Sequence, residues 1–200
     1  MCIRDSYEHM LKERNIPYIK VSGQLKEPEY RAQVTKIKSA GVDIVMVSMQ
    51  PSDSGLFVRQ LREDNVNLPI LGEVGLADKH FPELAGGKIG TAYTYGVYDS
   101  ADQRPYVQDF VKRFKAEVGR EPGTFEAIAG DAAFITATVM NAASELTRES
   151  IREAWSKAQS IDTFTGKVSW KGSGEAIREQ VLEQMYDENE KLIVIPASYW

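Results

Sequence analysis

Cysteine is nearly missing from this chain. Cys2 is the single one in 200 residues, which excludes an intramolecular disulfide and any metal site built from several cysteines. Histidine is almost as scarce: His9 and His80 stand far apart. A zinc site asks for three or four ligands, so His80, near Asp78, reads as a surface-loop residue, and no metal and no cofactor is expected. No cluster of lysine and arginine occurs, and the net charge is −5. Nucleic acid is therefore not an expected partner, because its binding needs a concentrated basic face. The longest apolar runs are strand-sized, so no direct membrane insertion is expected. The N-terminus shows no apolar core of a signal peptide.

Catalytic motifs are also absent. Gly172-Ser173-Gly174 continues as Glu175-Ala176-Ile177, so the third glycine of a dinucleotide fingerprint fails. Gly87-Lys88 and Gly166-Lys167 lack both the upstream glycine and the following Ser/Thr of a P-loop. There is no HExxH, CxxC or GxSxG. Nucleophilic catalysis needs a base beside its nucleophile, and nothing in the pattern requires that arrangement. The expectation is a protein that is not an enzyme.

What is present is material for a substantial core, 42% hydrophobic residues with 26% charged, arranged in an α/β rhythm. Residues 7–15 read as the end of a helix and 16–22 as a strand. Pro28 suits the first turn of a helix that carries Tyr30, Val34 and Ile37 as an apolar stripe and ends at Gly41 as a left-handed cap. A strand at 43–48, a helix at 55–64 and a strand at 68–71 come next. This βαβαβ order predicts a parallel, doubly wound sheet. Both later strands empty into polar loops, Met49-Gln50-Pro51-Ser52-Asp53-Ser54-Gly55 and Gly72-Glu73-Val74-Gly75. In open α/β sheets ligands bind at the carboxyl ends of the strands, so these loops are the expected binding site, with Ser52-Asp53 expected to cap the helix at Gly55.

Farther on, residues 78–84 read as a short helix broken by Gly86-Gly87, and 89–98 as a strand with Tyr93, Tyr95 and Tyr98. From Asp102 the character turns helical. Residues 104–118 place Val107, Phe110, Val111 and Phe114 on one face. Thr124 is the expected N-cap of a helix to Ala143, with Glu126 in its first turn, and Thr147 of a helix over 148–158. Residues 164–170 and 180–186 read as strands, and 187–190 as the turn of a closing hairpin. No repeat, low-complexity tract or flexible linker is visible. Residues 1–6 have no periodicity matching residues 7–15 and read as a scar rather than native sequence.

The segments 48–55, 71–75 and Phe81-Pro82-Glu83-Leu84-Ala85-Gly86 resemble the type I periplasmic substrate-binding proteins of ABC transporters, in their leucine/isoleucine/valine-binding branch. Gly119-Arg120-Glu121-Pro122, Phe125-Glu126-Ala127-Ile128 and Thr165-Gly166-Lys167-Val168-Ser169-Trp170 fit the same family, and the resemblance covers about residues 7–200. It implies two α/β lobes that close on a solute and hand it to a membrane permease in the periplasm. Residues 7–92 would be the carboxyl-terminal lobe, 93–102 a hinge strand and crossover, 103–162 helices of the amino-terminal lobe, and 163–200 returning strands with a terminal hairpin. The sheet of the amino-terminal lobe and the export signal would be missing. As a fragment, the chain is expected to bind ligand weakly or not at all, and to expose apolar helix faces.

The resemblance also suggests ligand contacts. Glu73 would pair with the ammonium of an amino acid, a task suited to a charge-assisted hydrogen bond. Ser48, Met49 and Gln50 would touch the ligand from the preceding strand end. Phe125 would present a ring to it, although core packing on an amphipathic helix explains Phe125 as well. Gly130-Asp131 stands where many members have an aromatic residue before Asp. Tyr93, Tyr95 and Tyr98 either line the cleft or pack in the hinge. The expected function is solute binding for ABC import of a branched-chain amino acid or similar small carboxylate. The same fold also serves as the ligand-sensing domain of receptors and amide-responsive regulators, which is the second reading. A flavodoxin-like enzyme domain using Glu73 or Asp53 is a third, disfavoured by the missing motifs.

Overall fold

The computed structural model describes residues 3–170, 175–179 and 181–195. The expected strand start at 180 and the last residues of the expected tail, 196–200, lie outside them, as do Met1 and Cys2. The described residues form two compact units, one of those up to Tyr95 with those from Glu183 on, the other of those between Gly96 and Leu182.

The first unit is built on a five-stranded sheet. Strands β1 (Val45–Val47), β2 (Ile70–Gly72) and β3 (Ala92–Gly96) are parallel neighbours, with Val45 opposite Ile70 and Ile70 opposite Ala92. The chain returns later as β7 (Leu182–Tyr186), which turns through residues 187–190 into the antiparallel β8 (Leu192–Val194). The sheet order is β1-β2-β3-β7-β8. Helix α1 (Ile3–Glu13) opens the unit and α2 (Arg31–Ala40) precedes β1. The stripe anticipated on α2 is real: Tyr30, Val34 and Ile37 are buried in one cluster with Val45, Val47, Phe57, Val58, Leu61 and Ile70. Gly41 closes α2 in the left-handed conformation, φ 63°. Helix α3 (Pro51–Glu63) packs Phe57, Val58 and Leu61 on the same core, and a 3-10 turn (Val74–Ala77) and α4 (Phe81–Leu84) come after β2.

Several expected elements differ. Helix α1 begins at Ile3, so residues 3–6 continue the helix expected from residue 7. Residues 16–22 form no strand: they run without a ladder, and Ile16, Tyr18 and Ile19 are exposed. A strand needs a partner edge as well as a β-prone sequence, and none meets this stretch among the described residues. Asp53 does not cap a helix at Gly55. The helix starts earlier, at Pro51, a residue suited to a first helical position, and the buried Asp53 carboxylate accepts the Lys26 backbone N–H at 3.2 Å. Burial and the Asp53 hydrogen bond hold the Tyr30 phenol up at about 12.

The second unit combines α5 (Pro105–Val118), α6 (Thr124–Ala142) and α7 (Arg148–Lys157) with an antiparallel sheet of β4 (Ser160–Thr163), β5 (Gly166–Trp170) and β6 (Ala176–Arg178). Strands β4 and β6 were not anticipated; each is short and lacks an alternating apolar run. The cap of α6 is Gly123 rather than Thr124, and the Glu126 carboxylate accepts the Gly123 N–H at 2.9 Å. Thr147 does cap α7, accepting the Ser150 N–H at 3.3 Å. Tyr98, Val107 and Ala127 form one small core, with Phe110 and Phe164 stacked at 4.3 Å beside it.

Candidate functional site

Strands β1 and β2 end side by side because they are paired in parallel, Val47 opposite Gly72. Their loops therefore leave the sheet at the same level, and Ser48 and Glu73 meet: the Ser48 hydroxyl donates to the Glu73 carboxylate at 3.3 Å. The backbone of Glu73 is fixed from the other side, where Thr94 of β3 donates its hydroxyl to the Glu73 carbonyl at 2.7 Å. Gly75 keeps the loops close. A Cβ there would stand 2.7 Å from the Met49 carbonyl oxygen, nearer than real contacts allow.

Glu73 is half-buried, and desolvation pushes its carboxyl above the ordinary range although the Ser48 hydrogen bond acts in the opposite direction. The same carboxylate acts on two phenols. Tyr95, on the half-buried face of β3, and Tyr7 of α1 are both raised, first by burial and then by neighbouring negative charge that includes Glu73. A partly desolvated carboxylate that accepts one serine hydroxyl, with no cation paired to it among the described residues, is a site that a ligand cation would satisfy.

The other expected residues divide. Met49 is half-buried and packs on the unit's main core, while Gln50 is exposed and serves as the N-cap position of α3, its carbonyl accepting the Ser54 N–H at 2.9 Å. Ser48, Met49, Gln50 and Glu73 all line one cavity of about 900 Å³ within the first unit. Tyr93 and Tyr95 alternate with the buried Ala92 and Thr94 along β3. Tyr98 is a core residue of the second unit, edge-on to Phe110 at 6.5 Å, with its phenol raised by burial. Phe125 lies in the second unit, in the first turn of α6, and is 42% exposed. Gly130 has a local reason: a Cβ there would lie 3.0 Å from the Phe164 ring, so an aromatic from another segment takes the space beside it.

Thr94 and Tyr7 were not singled out by sequence. Thr94 carries a trace in the Tyr-Thr-Tyr alternation, which puts a small polar side chain on the buried face of a strand. Tyr7 carries none, since its closeness to Glu73 depends on where α1 packs.

A sequence profile described as periplasmic binding protein matches residues 3–186. Leu/Ile/Val-binding protein homolog 3 of Brucella melitensis is 26% identical over 151 residues, 74% of this chain and 40% of that protein. Among solved structures, a leucine binding protein from Thermotoga maritima superposes with a TM-score of 0.87 at 19% identity, covering 97% of this chain and 55% of that one. A branched-chain amino acid transporter substrate-binding protein from Streptococcus pneumoniae, solved with isoleucine, has a TM-score of 0.72 at 20% identity, covering 84% of this chain and 47% of that one. The chain thus spans about half the length of the relatives it matches, or less. With the profile match running through most of its length and the fold shared with these binding proteins, the chain belongs to the periplasmic binding protein family.

Proposed function

We propose that this protein is a solute-binding component of an ABC importer and holds a branched-chain amino acid or a similar small carboxylate, with Glu73 receiving the ligand's ammonium group. The observation that carries this reading is the Ser48–Glu73 pair at adjoining strand ends, a half-buried carboxylate whose charged form burial disfavours. An ammonium placed there restores the interaction the carboxylate lost with water, as a short charge-assisted hydrogen bond. Met49 supplies adaptable apolar contact nearby. The isoleucine in the Streptococcus pneumoniae relative and the Leu/Ile/Val-binding name of the Brucella melitensis relative support this choice of solute class. The relatives are binding proteins and not enzymes. Membership of the family supports a membrane permease as partner and the periplasm as location.

Calorimetric titration of the longest form the gene encodes tests the proposal, using leucine, isoleucine, valine and N-acetyl-leucine. Leucine is expected to bind and N-acetyl-leucine, which has no ammonium, to bind about ten- to a hundredfold more weakly. Glu73→Gln is expected to narrow that gap. Equal affinity for leucine and N-acetyl-leucine, or a Glu73→Gln protein that binds leucine as well as the parent, would sink the assignment of Glu73.

A further inference from the structure

The 3-10 turn that follows Glu73 is held at both ends. The chain leaves β2 at Gly72, where a Cβ would run into the Leu76 side chain. Glycine there lets the turn fold back over its own strand, and Leu76 is fully buried. The Glu73 backbone is extended, φ −90° and ψ −174°, and its carbonyl takes two donors. One is the Leu76 N–H at 2.8 Å, which closes the turn. The other is the Thr94 hydroxyl at 2.7 Å, whose second acceptor in reach, the Tyr95 carbonyl, is farther away at 3.3 Å. At the far end of the turn the Tyr186 hydroxyl donates to the Leu76 carbonyl. Tyr186 is buried, its ring lies 5.4 Å from that of Phe81, and burial pushes its phenol up, so it remains a donor at neutral pH.

Both hydroxyls come from outside the two ligand loops. Thr94 stands opposite Gly72 on β3, and Tyr186 lies on β7, the strand beside β3. Neither lines the cavity that Ser48, Met49, Gln50 and Glu73 share. The Glu73 side chain, by contrast, makes one hydrogen bond among the described residues, to the exposed Ser48 hydroxyl at 3.3 Å. A carboxylate held by so little takes its place from the backbone that carries it. Binding groups must stay within about 0.5 Å of their productive geometry, kept there by residues whose own rotamers are locked. Thr94 and Tyr186 are such residues, both buried in the first unit.

Resting on the reading of Glu73 as the receptor for the ligand's ammonium, we propose that Thr94 and Tyr186 are positioning residues for ligand binding: their hydroxyls lock the turn at its two ends and so set where the Glu73 carboxylate meets that ammonium. Their influence on the ligand passes through Glu73, because neither reaches the cavity. Loss of the Thr94 hydroxyl leaves the Glu73 carbonyl with the Leu76 N–H only, and loss of the Tyr186 hydroxyl takes the side-chain donor from the Leu76 carbonyl. Each change loosens one end of the turn and leaves the cavity walls as they are. A pair of hydroxyls that served the fold and nothing else would lower stability and weaken every ligand alike. Positioning residues weaken the ligand that carries an ammonium and spare the one that lacks it.

The test is calorimetry on the longest form the gene encodes, with leucine and N-acetyl-leucine as probes. It compares the parent with Thr94→Val, Tyr186→Phe and Glu73→Gln, and with each hydroxyl variant combined with Glu73→Gln. Thr94→Val and Tyr186→Phe are each expected to weaken leucine about three- to tenfold and to leave N-acetyl-leucine unchanged. In the Glu73→Gln background neither is expected to weaken leucine further, a coupling that the double-mutant cycle reads directly. Thr94→Ser, which keeps the hydroxyl, is expected to recover most of the affinity lost in Thr94→Val. Equal losses for both probes, full additivity with Glu73→Gln, or parental leucine affinity in both hydroxyl variants would overturn the proposal. Two failures are told apart. If Glu73→Gln binds leucine as the parent does, the reading of Glu73 fails and the positioning roles fall with it. If Glu73→Gln weakens leucine and the hydroxyl variants do not, the positioning roles fail and Glu73 stands. Tyr186→Phe keeps its ring against Phe81, so it carries the comparison if Thr94→Val does not fold.

Discussion

The charged form of Glu73 is a cost to the empty fold, and the proposed ligand ammonium would relieve it. Burial raises its carboxyl above the ordinary value of 4.5, so the folded state holds that proton more tightly than the unfolded chain. The resulting stabilisation is complete below pH 4.5 and is lost as pH rises through the raised value. Glu73→Gln, permanently neutral, escapes that loss. Thermal melts of the ligand-free protein should give the Gln variant an equal or higher melting temperature at pH 7, with the advantage shrinking toward pH 4. A parent protein that gains stability over the Gln variant as pH rises would contradict the burial cause. Asp131 of α6 is the opposite case, a buried carboxylate fully employed. It accepts the Phe164 N–H at 2.7 Å and the Thr163 hydroxyl at 2.9 Å, with Thr165 and Arg178 closing around it. Asp131→Ala strands those donors and should cost about 3 kcal/mol in urea unfolding, while Asp131→Asn, which keeps one acceptor, should cost less.

At the scale of elements, α3 is held to the strands it serves by Arg62 in its last turn. The guanidinium donates to the Ile89 carbonyl at 2.8 and 3.0 Å, to Val66 at 2.7 Å and to Leu68 at 2.9 Å. These carbonyls lie in the segments leading into β2 and β3, so one side chain ties the helix to the start of two strands. Burial accordingly lowers its pKa. Arg62→Lys offers a point charge instead of a planar fork; we expect Arg62→Ala to cost about 2–3 kcal/mol and Arg62→Lys to recover less than half of it, read from denaturant midpoints. Helix α7 depends on a cap and has no fully buried residue. Thr147→Ala should remove about 1 kcal/mol of its stability, visible as faster amide exchange at Ser150. Element identity was legible where periodicity was strong: α2 and α5 carry the apolar stripes expected of them, whereas α3 starts at Pro51 and not at residue 55. Residues 16–22 show the limit of that reading, because β propensity describes a surface to pair with, not a backbone preference.

At the scale of the whole molecule, the described residues include no helix long and apolar enough to cross a membrane, yet large apolar side chains remain on the surface. Phe125 and Phe134 of α6 are 42% and 47% exposed, in a helix otherwise rich in alanine. Exposed rings of this size promote association. Sedimentation velocity should show the average mass of this chain rising with concentration, and Phe134→Lys should lower that rise; a monomer at all concentrations would show that α6 is shielded.

The sequence by itself determined the α/β class, the parallel order of the first strands and the loops at their carboxyl ends, because apolar periodicity and turn residues are local properties of the chain. It also carried Ser48 and Glu73 as residues of adjoining loops. Only the tertiary structure decided that these two touch, that Thr94 clamps Glu73 from β3, that Asp53 serves Lys26 and not a helix cap, and that residues 16–22 stand apart from β1. Each of these joins positions distant in the chain, whose meeting is set by strand register and helix packing, and no local pattern encodes that.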